Sequence, residues 1–512
     1  MSRTANIKKN LIFNIIKFAT QMVLQFVLRT ALIYILGAEY LGLNGLFTNI
    51  FSFLNLAELG IGSAIVFSMY KPIAEGDTEK VKALQNLYKR FYFIIAIIVL
   101  AAGVLILPFL KFFINGEVSV DINIYLLYLL YLINTLVGYF SAHKRSLLFA
   151  YQRNDIENKL KTICLFTMSV IQIAVLFIFK NYYIYFTVNI IFTILECVLI
   201  YVWANKLLPE INGKTQELDK DTKKDIFKNV GALSLHKIGS AIVFSTDNIL
   251  ISSMLGLTVL GAYSNYYLII TTITGIFTLI ANALTGSVGN LIASNDTEYV
   301  YQKYKQINFI FAILSAFTTV CMAVLFQPFI KVWTGGGIYI LNYSTVVLLC
   351  VSFYLSKMRT STCMFKECAG LFNQDKWKAL VEAVINLTLS IVLGVFMGLN
   401  GIILGTIIST IVAPLWVEPW VLYKHYFKRS VKDYFRTYLR DGLITLIVGA
   451  VCFGVCWFMP SSGVWWLIGK FAVCVVLCAG MLILAYLPTK EFKENWQLFK
   501  GLLTARKNKK SG

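Results

Sequence analysis

Apolar runs of about 20 residues recur along the chain, separated by short polar connections. A run of that length crosses a hydrocarbon core of about 30 Å as a helix. The runs are continuous and not alternating ten-residue segments, which selects helices over a closed barrel. Fourteen spans are predicted, near 11–36, 41–70, 91–114, 122–142, 162–180, 184–204, 230–255, 259–288, 309–334, 339–358, 379–399, 400–423, 441–459 and 464–487. The expected fold class is an all-α polytopic membrane protein.

Composition agrees with lipid as the main solvent. Of 512 residues, 58% are hydrophobic and 14% charged, and the mean hydropathy is +0.71. A water-soluble domain so composed would expose large apolar patches. The formal net charge of +20 raises nucleic acid as a partner, but the position of the charge excludes it. All but seven of the 46 Lys and Arg lie in alternate connections or in the two tails. By the positive-inside rule both termini are then cytoplasmic and the span count is even. The first run is a retained helix and not a cleaved signal peptide, because Lys17 interrupts it and no small-residue cleavage site follows. The ten cysteines show no metal-ligand spacing. Cys452/Cys456 and Cys474/Cys478 sit at i,i+4, the pattern of small buried apolar residues on a helix face.

An internal repeat organises the chain. KPIAEGDTEKV (71–81) lies over NLIASNDTEYV (290–300) at an offset of 219, and the same offset superposes LGAEYLG (36–42) on LGLTVLG (255–261). PFLK and PFIK (108–111 and 328–331) match at 220, as do Asp155 and Asp375. The predicted organisation is an N-terminal six-helix lobe (1–204), a cytoplasmic linker with an amphipathic surface helix (205–228) and a second six-helix lobe (229–423). A linker with helices 13 and 14 (424–487) and a basic cytoplasmic tail (488–512) follow. Six is even, so the lobes form a parallel repeat about an axis along the membrane normal, with the last two helices as an added hairpin. Such repeats place a substrate path between the halves. Pro108 and Pro328 are expected to mark equivalent outer helix ends.

Candidate chemistry lies on polar stripes inside the spans, where a charge costs roughly 2.5–3.5 kcal/mol on insertion scales. Lys17, Gln21, Gln25 and Arg29 recur every four residues on the first helix, a stripe about 18 Å long that lipid does not solvate. Lys17 near the inner end is also able to snorkel. Under the repeat, Lys17 aligns with His236 and Arg29 with Asn248; the seventh span carries His236, Lys237, Ser240, Asp247, Asn248 and Ser252. The two stripes are expected to face one polar cleft. Asn55 and Glu58 continue the polar positions on the second span. Glu58 and Asp247 each have two readings, as charge partners of the basic residues or as proton or cation sites. No catalytic motif, metal set or phosphate-binding glycine loop is present, and His143, His236 and His425 are far apart in sequence. The expected protein is not an enzyme and needs no cofactor.

The stretch LGAEYLGLNGLFTNIFSFLNLAELGIGSAIVFSMYKPIAEGDTEKVKAL (36–84), together with STDNILISSMLG (245–256) and GAYSNYYLI (261–269), resembles Wzx-type oligosaccharide flippases. These are polysaccharide transporters of the multidrug/oligosaccharidyl-lipid/polysaccharide exporter superfamily. The resemblance covers most of residues 1–423. It implies movement of undecaprenyl-pyrophosphate-linked sugar repeat units between leaflets of a bacterial cytoplasmic membrane. The implied mechanism is alternating access around a cationic cavity, with H+ or Na+ as candidate coupling ions. The cationic requirement maps onto Arg29 and Lys17, with Lys237 and His236 as weaker candidates; Gln, Asn and Ser side chains suit the sugar. This chain departs from the arginine-rich pattern of related lipid II flippases. Two alternatives follow: an organic-cation or multidrug exporter of the same fold using Glu58 and Asp247, and, more distantly, a membrane glycosyltransferase or polymerase, for which the outer connections are short.

Overall fold

The computed structural model describes residues 3–55, 61–116, 120–211, 213, 218, 246–372, 374–460, 463–497 and 500, with the side chains of 3–12 and 61–64 set aside. The described residues are helical and include no strand. In chain order the helices are α1 (Arg3–Ile35), α2 (Ala38–Leu54), α3 (Ile61–Glu75), α4 (Thr78–Ile106), α5 (Ile124–Ala150), α6 (Asn154–Phe179) and α7 (Tyr182–Leu207). Next come α8 (described over 246–255), α9 (Leu257–Ser294), α10 (Thr297–Thr334), α11 (Tyr343–Met358), α12 (Thr360–Cys368) and α13 (Lys378–Met397). The last are α14 (Leu399–Val412), α15 (Pro414–Val421), α16 (Lys432–Trp457) and α17 (Val464–Tyr486). Among the described residues, twelve helical segments are long and apolar enough to span a bilayer. The expected spans at 41–70 and 230–255 run partly outside the described residues.

Contacts divide the chain into two compact units, Met1–Gly261 and Ala262–Gly512. In the first, α1 packs on α6, and α5 packs on both α4 and α7. In the second, α10 packs on α11, α16 and α17, and α14 on α11 and α13. Small residues let α13 and α14 approach: Ala379, Ala383, Ser390 and Gly394 are buried at spacings of four and seven residues along α13. A Cβ on Gly401 or Gly405 of α14 would collide with the backbone of Leu393 or Ser390. This is the small-xxx-small device of membrane helices, where close packing and not water expulsion drives association. The α16–α17 hairpin seats on α10 through Cys452 and Cys456, Cys474 and Cys478, and Phe309, Ala316, Val320 and Val324. All ten cysteines are free thiols, seven of them buried, as packing residues would be.

The repeated residues do repeated work. Asp77 caps α4 by accepting from the Lys80 amide at 2.9 Å, and Asp296 caps α10 by accepting from the Tyr299 amide at 3.2 Å. Asp77→Ala and Asp296→Ala should each cost about 1 kcal/mol, read as matching losses in thermal unfolding of the purified chain. Gly37 and Gly256 both take positive φ, 94° and 89°, which a residue with a Cβ adopts at a cost. Gly42 and Gly261 make reciprocal close contacts within the first unit. A Cβ on Gly42 would strike the Leu257 carbonyl oxygen, and one on Gly261 the Ala38 carbonyl oxygen.

One expectation needs correction. Pro108 does end its helix, opening a 3-10 turn over Leu107–Phe113, but Pro328 lies inside α10, which continues to Thr334. The helix ends six residues later at Thr334 and is capped by Gly335, whose φ of 78° is left-handed. Membrane helices tolerate an internal proline because neighbouring groups satisfy the freed carbonyl.

Candidate functional site

The predicted stripe on α1 divides by depth. Lys17 is half-buried and donates from Nζ to Asn158 Oδ1 on α6 at 3.0 Å; Asn158 in turn donates to Asn14 Oδ1 at 2.8 Å. Arg145 of α5 and Glu196 of α7 form an ion pair at 3.0 Å near this end. Both Arg145 and Glu196 act electrostatically on Lys17. The ammonium is therefore part of a polar seam that joins α1 to the interior of its own unit. Gln21 and Gln25, one and two turns further on, are exposed on the unit's surface.

Arg29 meets a different environment. It is half-buried and within electrostatic range of the Tyr182 and Tyr185 phenols on α7. Tyr182 shares a 2.9 Å hydrogen bond with Tyr131 of α5, and Asn44 and Thr48 of α2 are in hydrogen-bonding contact with Tyr182 and Tyr131. Tyr131 stacks on Phe186 with ring centroids 3.9 Å apart. One cation, an amide, a hydroxyl and several ring faces from four helices thus converge. Chemically, such a set can neutralise an anionic group and offer ring faces and hydrogen bonds to a polar one.

Deeper along α2, Asn55 accepts a hydrogen bond from the Tyr139 hydroxyl. A second tyrosine line follows, with Ser146 donating to Tyr88 at 2.9 Å and Tyr88 to Tyr92 at 3.0 Å. Thr48 and Ser52 are exposed on the same helix. On α8, Asn248 is buried and Asp247 half-buried. Glu58, His236, Lys237 and Ser240 lie outside the described residues. The structure thus brings Arg29 into a shared cluster, ties Lys17 to Asn158, and pairs Asn55 with Tyr139. Among the described residues no group of His, Cys, Asp or Glu could hold a metal ion.

Sequence reasoning missed the tyrosines. Their signal was present: Tyr128 and Tyr131, and Tyr182 and Tyr185, recur at i,i+3, which puts each pair on one helix face. It also read the connection at 357–378 as positive charge, with Asp375 as a repeat match to Asp155 and not as part of an ion cluster. The second unit folds that segment into a buried ion cluster. Arg359 grips Glu418 of α15 through two bonds, Nε–Oε2 at 2.9 Å and Nη2–Oε1 at 2.8 Å. Lys378 pairs with both Glu418 and Asp375, and Lys366 pairs with Asp375.

The long apolar helices with a buried polar cluster define a multi-pass membrane protein. Its fold is that of transporters. It is similar to lipid II flippase MurJ in an inward closed conformation (TM-score 0.64, 15% identity, covering 93% of this chain and 98% of that one). It is also similar to an inward-facing multidrug resistance MATE family transporter of the MOP superfamily (TM-score 0.61, 15% identity, covering 78% and 94%). A third similar structure is the MATE transporter VcmN from Vibrio cholerae in its bent form (TM-score 0.55, 14% identity, covering 83% and 98%). At such identities the likeness is one of fold. No curated protein matches. The chain belongs to the polysaccharide biosynthesis protein family, which it matches over residues 7–285.

Proposed function

We propose that this protein is a flippase, not an enzyme, and that it moves undecaprenyl-pyrophosphate-linked oligosaccharide repeat units across the bacterial cytoplasmic membrane for surface polysaccharide assembly. The observation that carries the reading is the family membership over 7–285, a stretch that contains the Arg29 cluster. The proposal includes fourteen spans, two six-helix lobes, cytoplasmic termini and alternating access. Arg29 would meet pyrophosphate; Lys17, Gln21, Gln25, Asn55, Lys237, Ser240 and Asn248 would line the path. Glu58, His236 and Asp247 are candidates for proton or sodium coupling or for charge pairing. Exposed Gln21, Gln25, Thr48 and Ser52 support a wetted surface, since lipid does not solvate such groups.

The test is deletion in the native host followed by analysis of lipid-linked sugars. The reading expects accumulation at the inner leaflet and loss of surface glycan; normal glycan without accumulation would sink it. Arg29→Ala in the restored gene should lower surface glycan at least about tenfold, the loss of one charge-assisted contact. The MATE likeness favours a second reading, export of organic cations. Under it Arg29→Ala leaves glycan unchanged, and deletion sensitises cells to cationic compounds.

A further inference from the structure

The second unit has a second polar feature, remote in sequence from the Arg29 cluster. Its stretches 262–295, 306–356, 383–417 and 442–489 contain only two charged residues, Lys331 and Lys470, and no carboxylate. Both lysines line one cavity of about 410 Å³, between the end of α10, the start of α11 and the α16–α17 hairpin. Lys470 is buried, only 5% exposed, and its ionisable neighbour is the Cys456 thiol. The buried Lys470 ammonium has no carboxylate in the cavity lining, where desolvation is costly, and the exposed Lys331 ammonium adds a second positive charge to the same lining. An anion relieves the Lys470 penalty and pairs with both charges.

The walls define what kind of anion. Tyr343, Phe453 and Trp457 line the cavity and contact one another, with centroids 5.5–6.2 Å apart. Such aromatic groups sit at the headgroup level of a bilayer, with lipid tails below and water above. Asn342 makes no side-chain cap on α11, so amides of the first turn of this 16-residue helix are left for another acceptor. Gln327 is already engaged, accepting from Tyr266 and donating to the Leu341 carbonyl.

We propose that this cavity binds the phosphate headgroup of an anionic lipid, held by Lys331 and Lys470, with its acyl or prenyl tail alongside the hairpin. The site lies within the second unit and does not depend on the transport reading. Two lipids carry this chemistry, a phospholipid such as phosphatidylglycerol and a polyprenyl phosphate carrier.

The test uses the full chain, purified in a nonionic detergent and titrated separately with phosphatidylglycerol, phosphatidylcholine, undecaprenyl phosphate and inorganic phosphate. Native mass spectrometry counts bound lipid and thermal unfolding reports its effect. Retention of phosphatidylglycerol or undecaprenyl phosphate over phosphatidylcholine is expected, and the tighter of the two names the source. Lys331→Gln, at an exposed position, and Lys470→Gln should each weaken binding about tenfold, while Lys470→Arg keeps it. Equal binding of phosphatidylcholine, unchanged affinity in Lys331→Gln, or an equal response to inorganic phosphate alone would each overturn the lipid site.

Discussion

Glu418→Ala is expected to destabilise the second unit by about 3–5 kcal/mol, the usual cost of stranding buried charge. Glu418 is 1% exposed, Arg359 binds both of its oxygens, and Lys378 binds one. Removing the carboxylate leaves a guanidinium without its bidentate partner and leaves Lys378 with Asp375, 3.3 Å away, and the longer-range charge of Glu382. Asp375 is already shared with Lys366, so it cannot compensate fully. The measurement is the apparent melting temperature of the purified chain, with the folded fraction followed by size exclusion after heating. A double change, Arg359→Met with Glu418→Leu, removes one charge of each sign and so keeps the cluster's net charge, and it should cost clearly less than Glu418→Ala alone. If the double variant melts at or below the single one, charge pairing is not what holds this end of the unit.

The second large effect concerns the reciprocal glycines. Gly42→Ala and Gly261→Ala should each cost roughly 1–3 kcal/mol, the range for overpacking a tight contact. The colliding atom in each case is a backbone carbonyl oxygen, which cannot rotate away as a side chain would. The starts of α2 and α9 would have to separate. Because both substitutions open the same gap, the double variant should cost less than the sum, a coupling beyond about 0.5 kcal/mol. Gly45→Ala is the control: its Cβ would meet the Leu260 side chain at an ordinary 3.7 Å. It should melt close to the parent chain. Strict additivity of Gly42→Ala and Gly261→Ala would mean that they do not share one contact.

Much of this was legible in the chain. Apolar run length announced the membrane helices, because lipid leaves the backbone few alternatives. The repeat was legible because its identities are local devices: an Asp that caps the next helix, a glycine with positive φ, a glycine pressed on a carbonyl. Cysteines at i,i+4 read correctly as packing residues for the same reason. Pro328 misled because proline breaks helices in water, whereas α10 carries it.

The sequence by itself determined that the chain forms long apolar helices and where charge interrupts them. These follow from periodicity and from the free energy of placing each residue in lipid. Only the tertiary structure decided the partners. Lys17 goes to Asn158, 141 residues away, and Arg29 goes to tyrosines on α7. Lys331 and Lys470, from separate helices, meet at one cavity. A helical stripe specifies the face on which a side chain stands, but the neighbour it meets depends on how other helices cross that face. Those crossings are set by small residues and interlocking side chains distributed over the whole unit.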